Sequence, residues 1–357
     1  MRVIALLMSI ILLVPFVNVA QDTGELNLAI ITPHNIEDLV LLEEFSVPEA
    51  LALAWSDDSE QLIVSSYEGI WLLNLNVMQW QQLNLDEDIV GYDVLFVENS
   101  TQIIIRGGSE LILFDLNSHE TERIISPAGM IRAVNDNGTL YASIESEWNA
   151  DYDTMLSQTV RIYDVAESSL QLELPVTLYQ EFCFYACEVS INFSPDNSQV
   201  AFTSAVLEVE SVLVDLASGE NNPMPQIGYL GTQYSLNSSF VASRLGQPGY
   251  IPNSLVLIST DTIEIAAQAD FVASSLPEFN SDVFFAIGAY NDNAPNPDEA
   301  SGFVYFFKIS DLEESVQLRR IAELPFARPP TSIAFSYDGR ILAVSDGNGK
   351  LSLWVVR

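Results

Sequence analysis

The chain alternates between short apolar runs and short polar turns, with a period closer to two residues than to 3.6. "FSPDNSQVAFTS", residues 193–204, is the clearest instance. An aromatic residue leads into a Ser-Pro-Asp-Asn turn. Val200, Phe202 and Ser204 then alternate with Gln199, Ala201 and Thr203, as in a strand. Pro195 presets φ at the second turn position, and Asp196 and Asn197 tolerate turn geometry and can bond their own backbone. The stretch predicts strand, tight turn, strand.

The pattern recurs. It appears in "LAWSDDSEQLIVSS" (53–66), "VLFVENSTQIIIR" (94–106), "RAVNDNGTLYASI" (132–144) and "IAFSYDGRILAVS" (333–345). Weaker copies are "YSLNSSFVASR" (234–244) and "PEFNSDVFFAIG" (277–288). With the residue before each turn as anchor, the series is Trp55, Phe96, Val134, Phe193, Leu236, Phe279 and Phe335. The spacings are 41, 38, 59, 43, 43 and 56, and four of the six lie near the roughly 40–45-residue unit of a propeller repeat.

A third strand follows each hairpin: "IWLLNL" 70–75, "LILFDL" 111–116, "TVRIYDV" 159–165, "SVLVDL" 211–216, "SLVLIS" 254–259, "GFVYFFKIS" 302–310 and "KLSLWVV" 350–356. Several end in an aromatic or aliphatic residue, then Asp, then an aliphatic residue, where WD40 repeats carry their Trp-Asp pair. The sequence thus resembles a WD40-like β-propeller of seven units over 38–357, and the "SPDN" unit also looks like TolB-type repeats. No Gly-His dipeptide precedes any first strand, so the His–Asp network of many WD40 proteins is not expected. The resemblance implies an all-β fold of seven four-stranded antiparallel blades. The last blade has only three strands before Arg357, and "DLVLLEEF" (38–45) would supply its fourth, removing an exposed edge.

The first twenty residues break this rhythm. "MRVIALLMSIILLVPFVNVA" has an early Arg2, an apolar run and a terminal Ala20, the form of a signal peptide. Retention as an N-terminal anchor is the alternative. The expected organisation is a signal peptide at 1–20, a linker at 21–37 and the propeller at 38–357, in an exported, bacterial-type protein that is secreted, periplasmic or at the cell surface. No later segment is long and apolar enough to span a bilayer.

Charge narrows the partners. The 357-residue chain carries 49 acidic against 13 basic residues, a formal net charge of −36. Nucleic acid and anionic membranes need a basic patch and are not expected partners. A protein or glycan partner is, including a protein with a basic patch; the propeller itself is expected to be monomeric.

Loop lengths point to one face. The connection between second and third strands lengthens in the third unit (145–157), the fifth (245–253) and the sixth (290–301), and 176–188 extends the link into the fourth. In a propeller these connections emerge on the same side. Insertions confined to one face of a repeat protein often mark its binding face, though surface loops also vary neutrally. The candidate binding residues there are Trp148, Tyr152, Tyr179, Tyr185, Tyr250, Tyr290, Asp292 and Asp298. Aromatics bury much area in recognition, although some pack inward to cover a propeller face. Cys183 and Cys187 sit in the same region; in an oxidising compartment they suggest a local disulfide, with free thiols as the alternative.

No cofactor is expected. Calcium is considered because Asp292, Asn293, Asp298 and Glu299, and Glu145, Glu147, Asp151 and Asp153, offer oxygen ligands, but neither loop has EF-hand spacing. Catalytic motifs are missing: the sequence has no His-Glu-x-x-His, Gly-x-Ser-x-Gly or phosphate loop. The sequence reading is a non-catalytic binding or scaffold module. The alternative is a carboxylate-based hydrolase, for example on glycans, which would need two acids converging in a cavity with their pKa values driven apart.

Overall fold

The computed structural model describes residues 28–48, 50–85, 93–148, 155–176, 189–204, 210–225, 227–245, 254–291, 301–312 and 315–357. The described strands form seven four-stranded antiparallel sheets. Blade one contains β2 (Ala50–Trp55), β3 (Gln61–Ser66), β4 (Gly69–Asn74) and β5 (Gln79–Gln82), from the axis outward. Blade two has β6 (Asp93–Phe96), β7 (Gln102–Gly107), β8 (Glu110–Asp115) and β9 (Thr121–Ile125). Blade three has β10 (Met130–Val134), β11 (Leu140–Trp148), β12 (Met155–Asp164) and β13 (Leu170–Pro175). Blade four has β14 (Val189–Phe193), β15 (Gln199–Ser204), β16 (Val212–Asp215) and β17 (Asn221–Pro223). Blade five has β18 (Tyr229–Tyr234), β19 (Phe240–Leu245), β20 (Ser254–Ser259) and β21 (Ile265–Asp270). Blade six has β22 (Glu278–Ser281), β23 (Phe284–Tyr290), β24 (Gly302–Leu312) and β25 (Ser315–Phe326). Blade seven has β26 (Pro330–Phe335), β27 (Ile341–Asp346) and β28 (Lys350–Val355), and its outer strand is β1 (Val40–Ser46).

The hairpin turns have a clearer cause than proline. In blades one, four and seven the serine after the anchor donates to the Asp two residues on: Ser56 to Asp58 at 2.6 Å, Ser194 to Asp196 at 2.7 Å and Ser336 to Asp338 at 2.7 Å. The same hydroxyl accepts the N–H five residues later, from Gln61, Gln199 and Ile341, each at 2.9 Å. Side chain and backbone thus close the turn together. In six of the seven turns one residue takes positive φ: Ser59, Asn99, Gly138, Asn197, Ser238 and Gly339. Blade five shows the correct register. Ser235 fills the serine position, so Tyr234 is the anchor, and Leu236 is 52% exposed in the turn. The Asp residues ending third strands do similar work: Asp115 and Asp215 accept backbone N–H groups of Ser118 and Ser218, and these bonds hold both carboxyls below the usual range.

The core lies between blades, not within them. Seven hydrophobic clusters among the described residues each join two neighbouring blades. In β3, Leu62 and Val64 pack against blade seven while Ile63 packs against blade two. Alternate side chains serve opposite faces, so a middle strand must be apolar throughout.

Closure follows the expected scheme. β1 pairs antiparallel with β28, from Val40 opposite Val355 to Ser46 opposite Lys350, and Lys350 Nζ donates to Glu44 at 2.8 Å. The packed chain starts earlier than the expected linker boundary at 37. Ile31 and Ile36 are buried among blades six and seven, Ala29 bridges Val356, and Ile31 N–H donates to Gly339 O at 2.8 Å. These two isoleucines thus belong to the hydrophobic cluster between blades six and seven. Among the described residues no helix is long and apolar enough to cross a membrane.

Candidate functional site

The inner strands surround an axial channel of about 590 Å³. In every blade the inner strand begins, and the second strand ends, at the same end of this channel. Three arginines line it near that end. Arg106 is the fifth of six residues in β7, paired with Asp93 at the start of β6. Arg244 is the fifth of six in β19. Arg132 sits at a bulge in β10, where the register shifts between Ile131 and Ala133. A bulge re-aims a side chain, and here it adds Arg132 to the lining.

The arginines are held by neighbours. Arg106 donates through Nη1 to Ile131 O at 3.3 Å, tying blade two to blade three, and its Nη2 lies 3.5 Å from an Asp93 carboxylate oxygen. Arg244 Nη2 lies 3.5 Å from where a Cβ on Gly231 would stand, and Gly231 has φ +90. The room a glycine leaves there is for Leu276, whose Cδ2 would stand 2.6 Å from such a Cβ.

Deeper in the channel the wall has two sides. Among the lining residues, blade seven contributes Ile333, and the one before the anchor is Ala54, Leu95 or Ala133 in blades one, two and three, but Asn192, Gln233 and Glu278 in blades four, five and six. The last three occupy one level, opposite Ala201, Ala242 and Ala286 of their second strands. Asn192 Nδ2 donates to Thr232 O at 3.0 Å and to Gln233 Oε1 at 3.1 Å. The second polar atom of each amide, Asn192 Oδ1 and Gln233 Nε2, has no hydrogen-bond partner among the described residues.

Glu278 and Asp136 are the acids of this deeper zone. Enclosure by the channel wall pushes the Glu278 carboxyl up to about 8; the nearby Asp136 carboxylate adds to this and a backbone hydrogen bond from Phe335 opposes it. Asp136 meets channel water yet stands between the walls, and that desolvation raises its carboxyl, helped by the negative field of Glu98 and Asp93. The two acids are shifted in the same direction. A glycosidase-type pair needs one carboxyl raised and the other kept ionised, so this arrangement does not favour carboxylate hydrolysis.

Of the residues selected from the sequence, Trp148 and Tyr290 end second strands on the arginine side. Trp148 is the last residue of β11, its backbone paired with Met155. Tyr290 ends β23 opposite Gly302, is partly exposed and donates its N–H to Val272 O at 2.8 Å. Tyr152, Tyr179, Tyr185, Tyr250, Asp292, Asp298, Cys183 and Cys187 lie outside the described residues, as do residues 1–27. Glu145 is engaged by Arg161, which also reaches Glu173 at 2.7 Å, and Glu147 accepts from Ser157 at 3.1 Å. Among the described residues no group of three or more His, Cys, Asp or Glu side chains is placed to hold a metal ion.

Sequence reasoning missed Arg106, Arg132, Arg244 and Glu278. A signal was present: with 13 basic residues in 357, any arginine inside a predicted inner hairpin is unusual. What was not visible is that residues 138 positions apart share one channel.

No family model matches the chain, and no curated protein matches it. Among solved structures it is similar to a chain described as "Crystal Structure of Mitotic Checkpoint Complex", at 13% identity and a TM-score of 0.65, covering 100% of this chain and 99% of that one. Matching solved chains number 1321, so the architecture is widely shared and the likeness speaks for the fold alone. The chain folds as a seven-bladed β-propeller of four-stranded antiparallel blades, the last closed by strand β1.

Proposed function

We propose that this protein is a non-catalytic binding or scaffold module, exported from the cell, that captures a protein partner on the face at the arginine end of its channel. One observation carries the reading. The strand ends bounding 149–154, 205–211, 246–253 and 291–301, in blades three to six, all lie on that side. The rigid blades therefore present their longest second-to-third-strand connections together, the usual arrangement of a binding surface on a scaffold. The acidic balance of the chain suits a partner with a basic patch.

The test is a cross-linking capture from the extracellular fraction with two proteins. One is intact; the other carries short turns in place of 149–154 and 292–300. Strands β11, β12, β23 and β24 are left whole, so the fold should survive, since shortening loops costs little closure entropy. Loss of one specific cross-linked partner supports the proposal. Equal capture by both folded proteins overturns it.

A further inference from the structure

We infer that the outer edge of blade six is a self-association surface. Its strand β25 pairs antiparallel with β25 of a second copy of this chain about a twofold axis, and Arg320 of each copy meets Glu323 of the other. This departs from the monomer expected above and is independent of whether a protein partner docks on the loop face.

Strand length is the first support. The outer strands of the other blades hold three to seven residues, whereas β25 holds twelve. Its inner side pairs with β24 from Gly302 opposite Phe326 to Leu312 opposite Ser315. β25 ends the sheet, and among the described residues no backbone hydrogen bond reaches its other side. A long open edge is a template for another strand, and folded proteins usually keep such edges short.

The directions of the side chains supply the symmetry. A bulge shifts the register between the Phe306–Ala322 and Phe307–Arg320 pairs. Ile321 and Ala322 therefore both face blade seven, in one cluster with Leu324 and Phe326. On either side of them, Arg320 and Glu323 share the opposite face: Arg320 lies over the Tyr305 ring at 4.4 Å, and Glu323 stands opposite Tyr305 in the ladder. Leu318 packs on that face too, toward blade five. The two halves of β25 thus alternate in mirror order about the point between Ile321 and Ala322. Directly opposed residues of an antiparallel pair point the same way, so a regular strand pairs with its own copy only with a residue on the axis. The bulge instead lets the axis pass between two residues. Ile321 then meets Ala322, Arg320 meets Glu323 and Arg319 meets Leu324, each twice.

Charge agrees with this register. With Arg319, Arg320 and Glu323, β25 is the one outer strand whose net charge is positive. In a chain at −36 it is the edge where a second copy meets least repulsion. Charged residues often blunt an edge against pairing. Here the opposite signs are spaced so that each meets its complement across the twofold, whereas a parallel approach in register sets arginine against arginine.

The experiment is sedimentation velocity on the full protein at physiological salt, from about 1 to 100 µM, where a monomer–dimer equilibrium is expected. Arg320→Glu, checked for an intact melting transition, sets glutamate against glutamate at two points and should weaken dimerisation at least ~10-fold. Combining Arg320→Glu with Glu323→Arg restores opposite signs and should return the dimer. On the wild-type protein, amide exchange along 315–326 should slow as concentration rises while exchange in β21 stays constant, a readout that needs no variant. A monomer at every concentration overturns the inference. So does a dimer that folded Arg320→Glu leaves unchanged, a double variant as weak as the single one, or exchange in β25 that ignores concentration.

Discussion

Trp55 donates its indole Nε1–H to the backbone oxygen of Ala334 at 3.1 Å, joining blade one to blade seven across 279 residues of sequence. Nearby, Asp338 N–H donates to Ser59 Oγ at 3.0 Å. Similar links join other neighbouring turns, with Asn99 N–H on Asp57 at 2.6 Å and Asn135 on Asn197 at 2.8 Å. The first and last blades are thus joined by the same kind of contact as the first and second and the third and fourth. Trp55→Phe keeps the ring packing and leaves the Ala334 carbonyl unmatched, so it should cost about 1–3 kcal/mol in urea denaturation. Unchanged stability would mean that water replaces the indole at no cost.

Removal of β1 should be more damaging. Without Val40–Ser46, the edge of β28 is open and Phe45 is lost from the cluster between blades one and seven. A protein starting at residue 47 should melt lower and aggregate on concentration, as read by scanning calorimetry and light scattering. A truncated protein that stays monodisperse with an unchanged melting curve would contradict the closure argument.

Gly129 tests the backbone leading into β10. Its φ is +71, and a Cβ there would stand 2.0 Å from Ile144 O. Gly129→Ala should therefore cost at least about 2 kcal/mol, because the side chain is strained by both the dihedral and the carbonyl. Gly108, also at positive φ but with open space around it, should tolerate alanine better. Equal costs at both positions would show that the dihedral alone matters.

Glu278 makes stability depend on pH. Its carboxyl is held up at about 8 in the folded chain against 4.5 as the ordinary value. Between these values the folded state keeps a proton that the unfolded state releases, so stability falls as pH rises, by at most about 1.4 kcal/mol per unit from this group. The contribution is fully present below about pH 4.5 and is lost by the time pH has passed 8. Glu278→Gln should match the wild-type melting temperature at pH 4 and exceed it by a growing margin up to pH 8. A constant difference across that range would remove the channel desolvation argument.

At the partner face, aromatic and charge contributions separate by salt. If aromatic anchors carry the affinity, alanine at Trp148 and Tyr290 should weaken capture ~10-fold or more, with little effect of added salt. If the acidic surface carries it, binding should fall steeply between low and physiological salt, and the alanine variants should bind nearly as well as the parent. Surface plasmon resonance with the captured partner distinguishes the two.

The blade count, strand order and closing segment were legible in the sequence because they depend on local signals. A serine or asparagine turn between apolar strands repeats seven times, and each copy needs only its own few residues to form. The slip in register, Leu236 for Tyr234, came from a turn in which an apolar residue, Leu236, follows the serine Ser235. Even the rise in apolar density in the middle strands had a local reading, although its cause, two buried faces against two different blades, did not.

The channel was decided by tertiary structure. Arg106, Arg132 and Arg244 stand in three separate blades, and nothing within any one repeat distinguishes a residue that faces the axis from one that faces water. Ring closure sets them around one opening, and it also sets Asn192, Gln233 and Glu278 on one level opposite a wall of small apolar residues. The raised carboxyl of Glu278 has the same origin: desolvation by walls contributed by other blades and the field of Asp136. A repeat encodes its own hydrogen bonds. What lines the axis is fixed only when all seven inner strands meet, because each contributes one side of the enclosure.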